Sequence, residues 1–152
     1  MTRGNLVFAL DDPHYALPLA IVERVIRAVE ISPLPRAPRI VRGVINAQGQ
    51  ILPVVDIRAL FHLPPRATDI GDRFIIANTP RRVVALIVDR VTGICEVPEE
   101  KIVSAERALT FAEGLRGVAK LEDGLVLIYD LDRFLSLDEE GQLDAALSGG
   151  EA

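Results

Sequence analysis

The chain carries one pattern twice, in the same order. ALPLAIVERV (16–25) precedes RGVINAQGQILPVVDI (42–57), and VVALIVDRV (83–91) precedes RGVAKLEDGLVLIYDL (116–131). Val22-Glu23-Arg24-Val25 is echoed by Val88-Asp89-Arg90-Val91, and Arg42-Gly43-Val44 by Arg116-Gly117-Val118. In each copy an aspartate, Asp56 or Asp130, stands thirteen positions after the glycine. Two similar units of roughly 65–75 residues are each too small to hold a large core, so they are expected to pack against one another.

Periodicity makes those units β. Residues 6–10 and 15–17 flank a turn, Asp11-Asp12-Pro13-His14, and read as a hairpin. Residues 19–22 read as one helical turn and 24–31 as a half-buried strand, while 32–38 holds three prolines and reads as a loop. Strands are expected at 43–47, 51–55, 74–78, 83–88, 91–97, 116–121 and 125–129, with short helical turns at 57–62, 98–102 and 130–135. QILPVV, VVALIV and LVLIY are apolar at nearly every position, which requires cover on both faces. The expected division is a first lobe over about residues 14–72 and a second over about 73–136 plus the N-terminal strand, with 137–152 an acidic, partly mobile tail that forms at most a frayed helix.

The chemistry is sparse. His14 falls in a turn and His62 at a helix end, without a metal-ligand spacing, and Asp11, Asp12 and His14 are explained by turn formation. Cys95 is the only cysteine, which excludes an internal disulfide, and no histidine lies near it in sequence to activate it. No phosphate-binding loop or Gly-x-Ser-x-Gly elbow occurs. The longest apolar runs fall short of the roughly 18–20 residues that span a bilayer, and MTRGNLVFAL lacks a signal-peptide core, so a cytoplasmic protein is expected. The net charge of −5 opposes nucleic-acid binding, although Arg24, Arg27, Arg36, Arg39 and Arg42 form a basic segment. Neither a cofactor nor a metal is expected, and the chain reads as a non-enzyme.

GVINAQGQILPVVDIR (43–58) is the densest stretch of small and polar positions. Gly43 and Gly49 suit close backbone approach or positive φ. Asp56 suits a helix N-cap, and Pro53, lacking an N–H, suits an edge strand or a bulge. Nothing there assembles a nucleophile, a base and an electrophile, so the stretch reads as a scaffold with a recognition surface.

The pattern Arg-Gly-Val-x-Asn-x-x-Gly, then Pro-Val-x-Asp followed by Ile57-Arg58, resembles the CheW-like coupling domain of bacterial chemosensory systems. LVFALDDPHYALPLAIVERVI, PRAPRIVRG, VVALIVDRVTGI and GVAKLEDGLVLIYDLDRFL resemble it in order, across roughly residues 6–136. The resemblance implies a mostly β fold of two SH3-like five-stranded barrels packed together. It also implies a non-enzymatic adaptor that binds the regulatory domain of the histidine kinase CheA through apolar barrel ends. The cytoplasmic tip of methyl-accepting chemoreceptors would be bound at the groove between the lobes. By position Val22, Arg24, Val44, Asn46, Gln48 and Gly49 fall in or beside that groove, and Gly43, Pro53, Asp56, Arg58, Gly117, Gly124 and Asp130 belong to the framework. The chain departs from the family where Gln48 replaces the usual Arg and Arg24 replaces a common acid. Arg24 can still donate to the Gln48 side chain, but a balanced pair becomes net positive, which implies a receptor with a more acidic tip. The competing readings are a β-barrel binder of single-stranded nucleic acid, or a small-ligand module with a pocket between the lobes.

Overall fold

The computed structural model describes residues 2–10, 14–60, 63–67, 69, 71–104, 115–121, 124–129, 131 and 137–149. The chain begins with a hairpin of β1 (Thr2–Ala9) and β2 (His14–Pro18). It crosses through a 3-10 turn, Leu19–Ile21, into β3 (Val22–Arg27), β4 (Val41–Ala47) and β5 (Gln50–Asp56), followed by α1 (Ile57–Leu60). A second hairpin, β6 (Arg73–Asn78) and β7 (Val83–Val88), leads at Asp89 into β8 (Arg90–Pro98). A 3-10 turn, Glu99–Lys101, then precedes β9 (Ile102–Ser104), β10 (Leu115–Leu121), β11 (Gly124–Tyr129) and a terminal α2 (Leu137–Gly149).

Two sheets result, ordered β8-β1-β2-β11-β10-β9 and β3-β6-β7-β5-β4. Apart from β9 the orders are equivalent, but the lobes are not the sequence halves. Each half gives its hairpin to one sheet and its later strands to the other. The expected division at residue 72 is therefore corrected: β2 belongs with β8, β10 and β11, whereas β6 and β7 belong with β3, β4 and β5. The reason lies in the two parallel contacts, β11 with β2 and β5 with β7, since parallel neighbours cannot be joined by a tight turn and need a crossing connection. β9 was not anticipated. Its partner register, Val118 with Val103 and Gly117 with Ser104, has its counterpart in the other sheet as one bridge, Ser32 with Val44.

The strands without alternation are buried on both faces, as their sequence required, and parity divides their side chains. Phe74, Ile76, Ala85 and Ile87 fill the five-stranded lobe, and Val7, Ala16, Val126 and Ile128 fill the six-stranded one. The intervening residues, Ile75, Ala77, Val84, Leu86 and Val88 from one lobe and Leu6, Phe8, Tyr15 and Leu17 from the other, meet in one shared core. Among the described residues that core holds sixteen buried side chains against eight and six inside the lobes, so the joint between lobes is the main apolar mass.

The tail expectation also fails. Residues 137–149 form a thirteen-residue helix with Leu143 and Ala146 buried and Leu147 packed on the shared core. Leu143, Ala146 and Leu147 have the i, i+3, i+4 spacing of one helix face, a signal masked by the surrounding acids and Gly141. The polar face is held from outside: Arg81 and Arg82, beside the β6–β7 turn, pair with Glu140 and Asp144. Hydrogen bonding from Arg82 holds the Asp144 carboxyl below its ordinary range. Tertiary contacts thus order a segment too short to hold a helix by itself.

Candidate partner-binding surfaces

The β4–β5 hairpin turns through Gln48 (φ 56°) and Gly49 (φ 88°). Positive φ at both central residues is the pattern of a type I′ turn, whose twist matches the flanking strands. The Gly49 N–H donates to Asn46 Oδ1 at 2.7 Å, and Arg24 Nη1 on β3 donates to Gln48 Oε1 at 2.6 Å. Because β3 and β4 are the two ends of the sheet order, this bond spans the seam where the five-stranded sheet curls round to meet itself. The donation expected from Arg24 to Gln48 is therefore present. Five of the six groove candidates, Arg24, Val44, Asn46, Gln48 and Gly49, gather around this turn and seam. Val22 instead packs on the shared core at the start of β3.

On the outer face of β4 and β5, Val41 and Val55 are buried in the shared core, and further along lie Val44 with Pro53, then Asn46 with Ile51. That face runs from the joint between lobes out to exposed Ile51.

The framework residues have specific tasks. A Cβ on Gly43 (φ 152°) would lie 2.2 Å from the Ser32 carbonyl oxygen, so the bridge closing this edge needs glycine. Gly117 is buried beside the matching bulge of β10, and Gly124 turns with φ 127°. Asp56 caps α1 by accepting from the Ala59 N–H at 3.2 Å. Pro53 is not on an edge strand, since β5 lies between β7 and β4. Val44 turns both its N–H and its carbonyl to Ser32, which makes Val44–Pro53 a non-hydrogen-bonded pair. The proline nitrogen then faces the side where the parallel ladder to β7 begins only at Val54. Asp130 lies outside the described residues.

Arg58 exposed a cluster the sequence did not announce. Its side chain, 8% exposed, pairs with Asp89 at 2.6 Å, and Arg66 joins Asp89 at 2.7 Å and Asp72 at 2.6 Å. Asp89 is the residue between β7 and β8, so the cluster fastens the second crossing between lobes.

The six-stranded lobe has a different mouth. Register equates Arg24 with Gly93, since Arg24 pairs with Ile76 and Gly93 with Val7, each next to a bulge. Where Arg24 bridges its seam, Gly93 leaves a hollow of about 420 Å³ lined by Val7, His14, Ile94, Cys95 and Leu125. No carboxylate stands among the described residues lining it, so His14 and Cys95 have no acid–base partner there. Among the described residues no group of three or more His, Cys, Asp or Glu is placed to hold a metal, and no helix is long and apolar enough to cross a membrane. Equivalent positions also carry exposed apolar side chains: Val25 (37%) matches Ile94 (64%), and Ile51 (58%) matches Leu125 (60%).

The model of the CheW-like domain matches residues 5–139. The chain belongs to the CheW-like family. It is 28% identical over 141 residues to the chemotaxis protein CheW of Klebsiella aerogenes, covering 91% of this chain and 85% of that one. It is 25% identical over 140 residues to CheW of Treponema pallidum, covering 88% and 82%. The crystal structure of the scaffolding protein TtCheW from Thermoanaerobacter tengcongensis superposes with a TM-score of 0.83 at 28% identity, covering 91% of this chain and 96% of that one. As a CheW-type scaffold it is non-enzymatic and couples chemoreceptors to the kinase CheA in chemotaxis.

Proposed function

We propose that this scaffold docks the regulatory domain of CheA on the ends of its lobes and the cytoplasmic tip of a chemoreceptor beside the β4–β5 turn, working in the cytoplasm at receptor arrays. The observation that carries this reading is the duplication of exposed apolar pairs, Val25 with Ile51 on one lobe and Ile94 with Leu125 on the other. Single exposed apolar residues are ordinary, but the same two positions left uncovered on both lobes argue for two macromolecular contacts. The receptor surface is drawn around Val22, Arg24, Val44, Asn46, Gln48 and Gly49, where the outer face of β4 and β5 emerges from the joint. Two contacts on one rigid body raise the effective concentration of kinase near receptor, so coupling needs placement rather than chemistry.

The test is copurification and titration of the full chain with a CheA regulatory domain and a receptor-tip fragment from the same cell. Ile94→Asp with Leu125→Asp is expected to weaken kinase binding at least tenfold, about 1.4 kcal/mol, with melting little changed because both side chains are exposed. Wild-type protein that binds neither fragment would overturn the reading.

A further inference from the structure

Two groups of arginines stand apart among the described residues. Arg58, Arg66, Arg81 and Arg82 are each paired with a carboxylate. Those of the β3 region have no such partner among the described residues. Arg24 is bonded to a neutral amide. Arg27, exposed on the same strand, stands directly opposite Arg73 of β6, whose guanidinium turns to the carbonyls of Gly71 and Asp72 at 3.0 Å. Like charges placed opposite one another across two strands are destabilising, and here no carboxylate is set between them. The wider segment 22–42 holds five arginines against only Glu23 and Glu30.

The other lobe shows that the fold does not demand this. Its register places Gly93 where Arg24 stands, and Glu96 opposite Gly4 where Arg27 faces Arg73. At these two register positions one architecture therefore carries cations on the five-stranded lobe and a neutral and an acidic residue on the six-stranded lobe.

Resting on the adaptor reading above, we infer that the exposed side of β3, through Arg27 and Arg73 on its outward face and Arg24 at the seam beside it, docks an acidic segment of the chemoreceptor and selects receptors by that charge. A protein segment suits the face better than a phosphate backbone or a lipid surface. Exposed Val25 and Val29 flank Arg27 on the outward side, no aromatic side chain of the segment offers a base platform, and the chain as a whole carries −5. Arg24 is also held in place by Gln48, and an oriented guanidinium recognises a carboxylate with little loss of side-chain freedom.

The experiment compares the full chain with Arg24→Gln/Arg27→Gln, and with Arg90→Glu, an exposed arginine at the edge of the other sheet, as a charge-matched control. Dissociation constants are measured for the receptor-tip fragment and the CheA regulatory domain at low and high salt. The expected result is roughly tenfold weaker receptor binding by the double variant at low salt, narrowing to about twofold at high salt, with the control near wild type and kinase binding preserved. Unchanged receptor binding, or a loss independent of salt, overturns the inference while leaving the adaptor reading intact. Arginine-dependent binding of wild type to a single-stranded oligonucleotide or to anionic vesicles, with the receptor bound equally by both proteins, overturns it in favour of another anion. If wild type binds neither fragment, both readings fall together.

Discussion

The two lobes share strand order, bulge positions and hairpin placement, and they differ where they meet solvent. The five-stranded lobe shuts its seam with Arg24–Gln48 and closes its edge with a single bridge at Ser32. Its counterpart has Gly93 and a hollow of about 420 Å³ in the first place, and a whole extra strand, β9, in the second. The crossings differ too: the first is an apolar 3-10 turn, Leu19–Ile21, and the second is Asp89 held by two arginines. A duplicated framework thus keeps its interior constraints and lets its surfaces diverge, which is what a scaffold with two unlike partners needs.

The largest expected effect comes from one glycine in each lobe, at the Ser32 edge and at the open mouth. Gly43→Val drives a side chain into the Ser32 carbonyl at a φ of 152°, and urea melts should show a loss of about 3–4 kcal/mol. Gly93→Ala, with open space around its Cβ, is expected to cost only about 1 kcal/mol from backbone strain at φ 145°. Equal losses would mean that the Ser32 edge of one lobe and the open mouth of the other are under the same constraint and the contrast is false.

The crossings come next. Asp89→Ala strands Arg58 without this carboxylate at 8% exposure and should cost about 3 kcal/mol, whereas Leu19→Ala in the partly exposed first crossing should cost about 1 kcal/mol or less. Calorimetric melting of both variants decides whether the ion cluster or the apolar turn is the stronger fastening.

The smallest effect probes the joint itself. The chain has two tyrosines, and Tyr129 packs on the shared core beside Tyr15 with ring centroids 6.2 Å apart. Burial, reinforced by Tyr15, pushes the Tyr129 phenol up to about 12. Since an ordinary phenol ionises near about 10, this contribution to stability is complete below that pH and is lost as the pH rises through the folded value. Ultraviolet titration should show Tyr129 ionising near 12 in the folded chain. Ionisation near 10 without unfolding would show that the joint is open to water.

Much of this was legible in advance because it depends on neighbours in sequence. The Asp56 cap and the Gln48-Gly49 turn follow from local backbone chemistry, and the two-faced burial of VVALIV follows from its missing alternation. The acidic run from residue 137 misled, because its ordering comes from Arg81, Arg82 and the shared core, none of them nearby in sequence. Arg66, Asp72 and Asp89 likewise gave no motif, since they come together only when the chain crosses between sheets.

Taken alone, the sequence established a duplicated, aliphatic, β-rich framework with its turns and caps, because φ preferences and strand periodicity act over a few residues. Which strands share a lobe was decided only in three dimensions. Parallel pairing of β2 with β11 and of β5 with β7 joins opposite halves of the chain, and no local preference can encode a partner tens of residues away, still less the one that His14 finds in Val126. The same crossing joined two unlike mouths in one body, one bridged by an arginine and the other hollow.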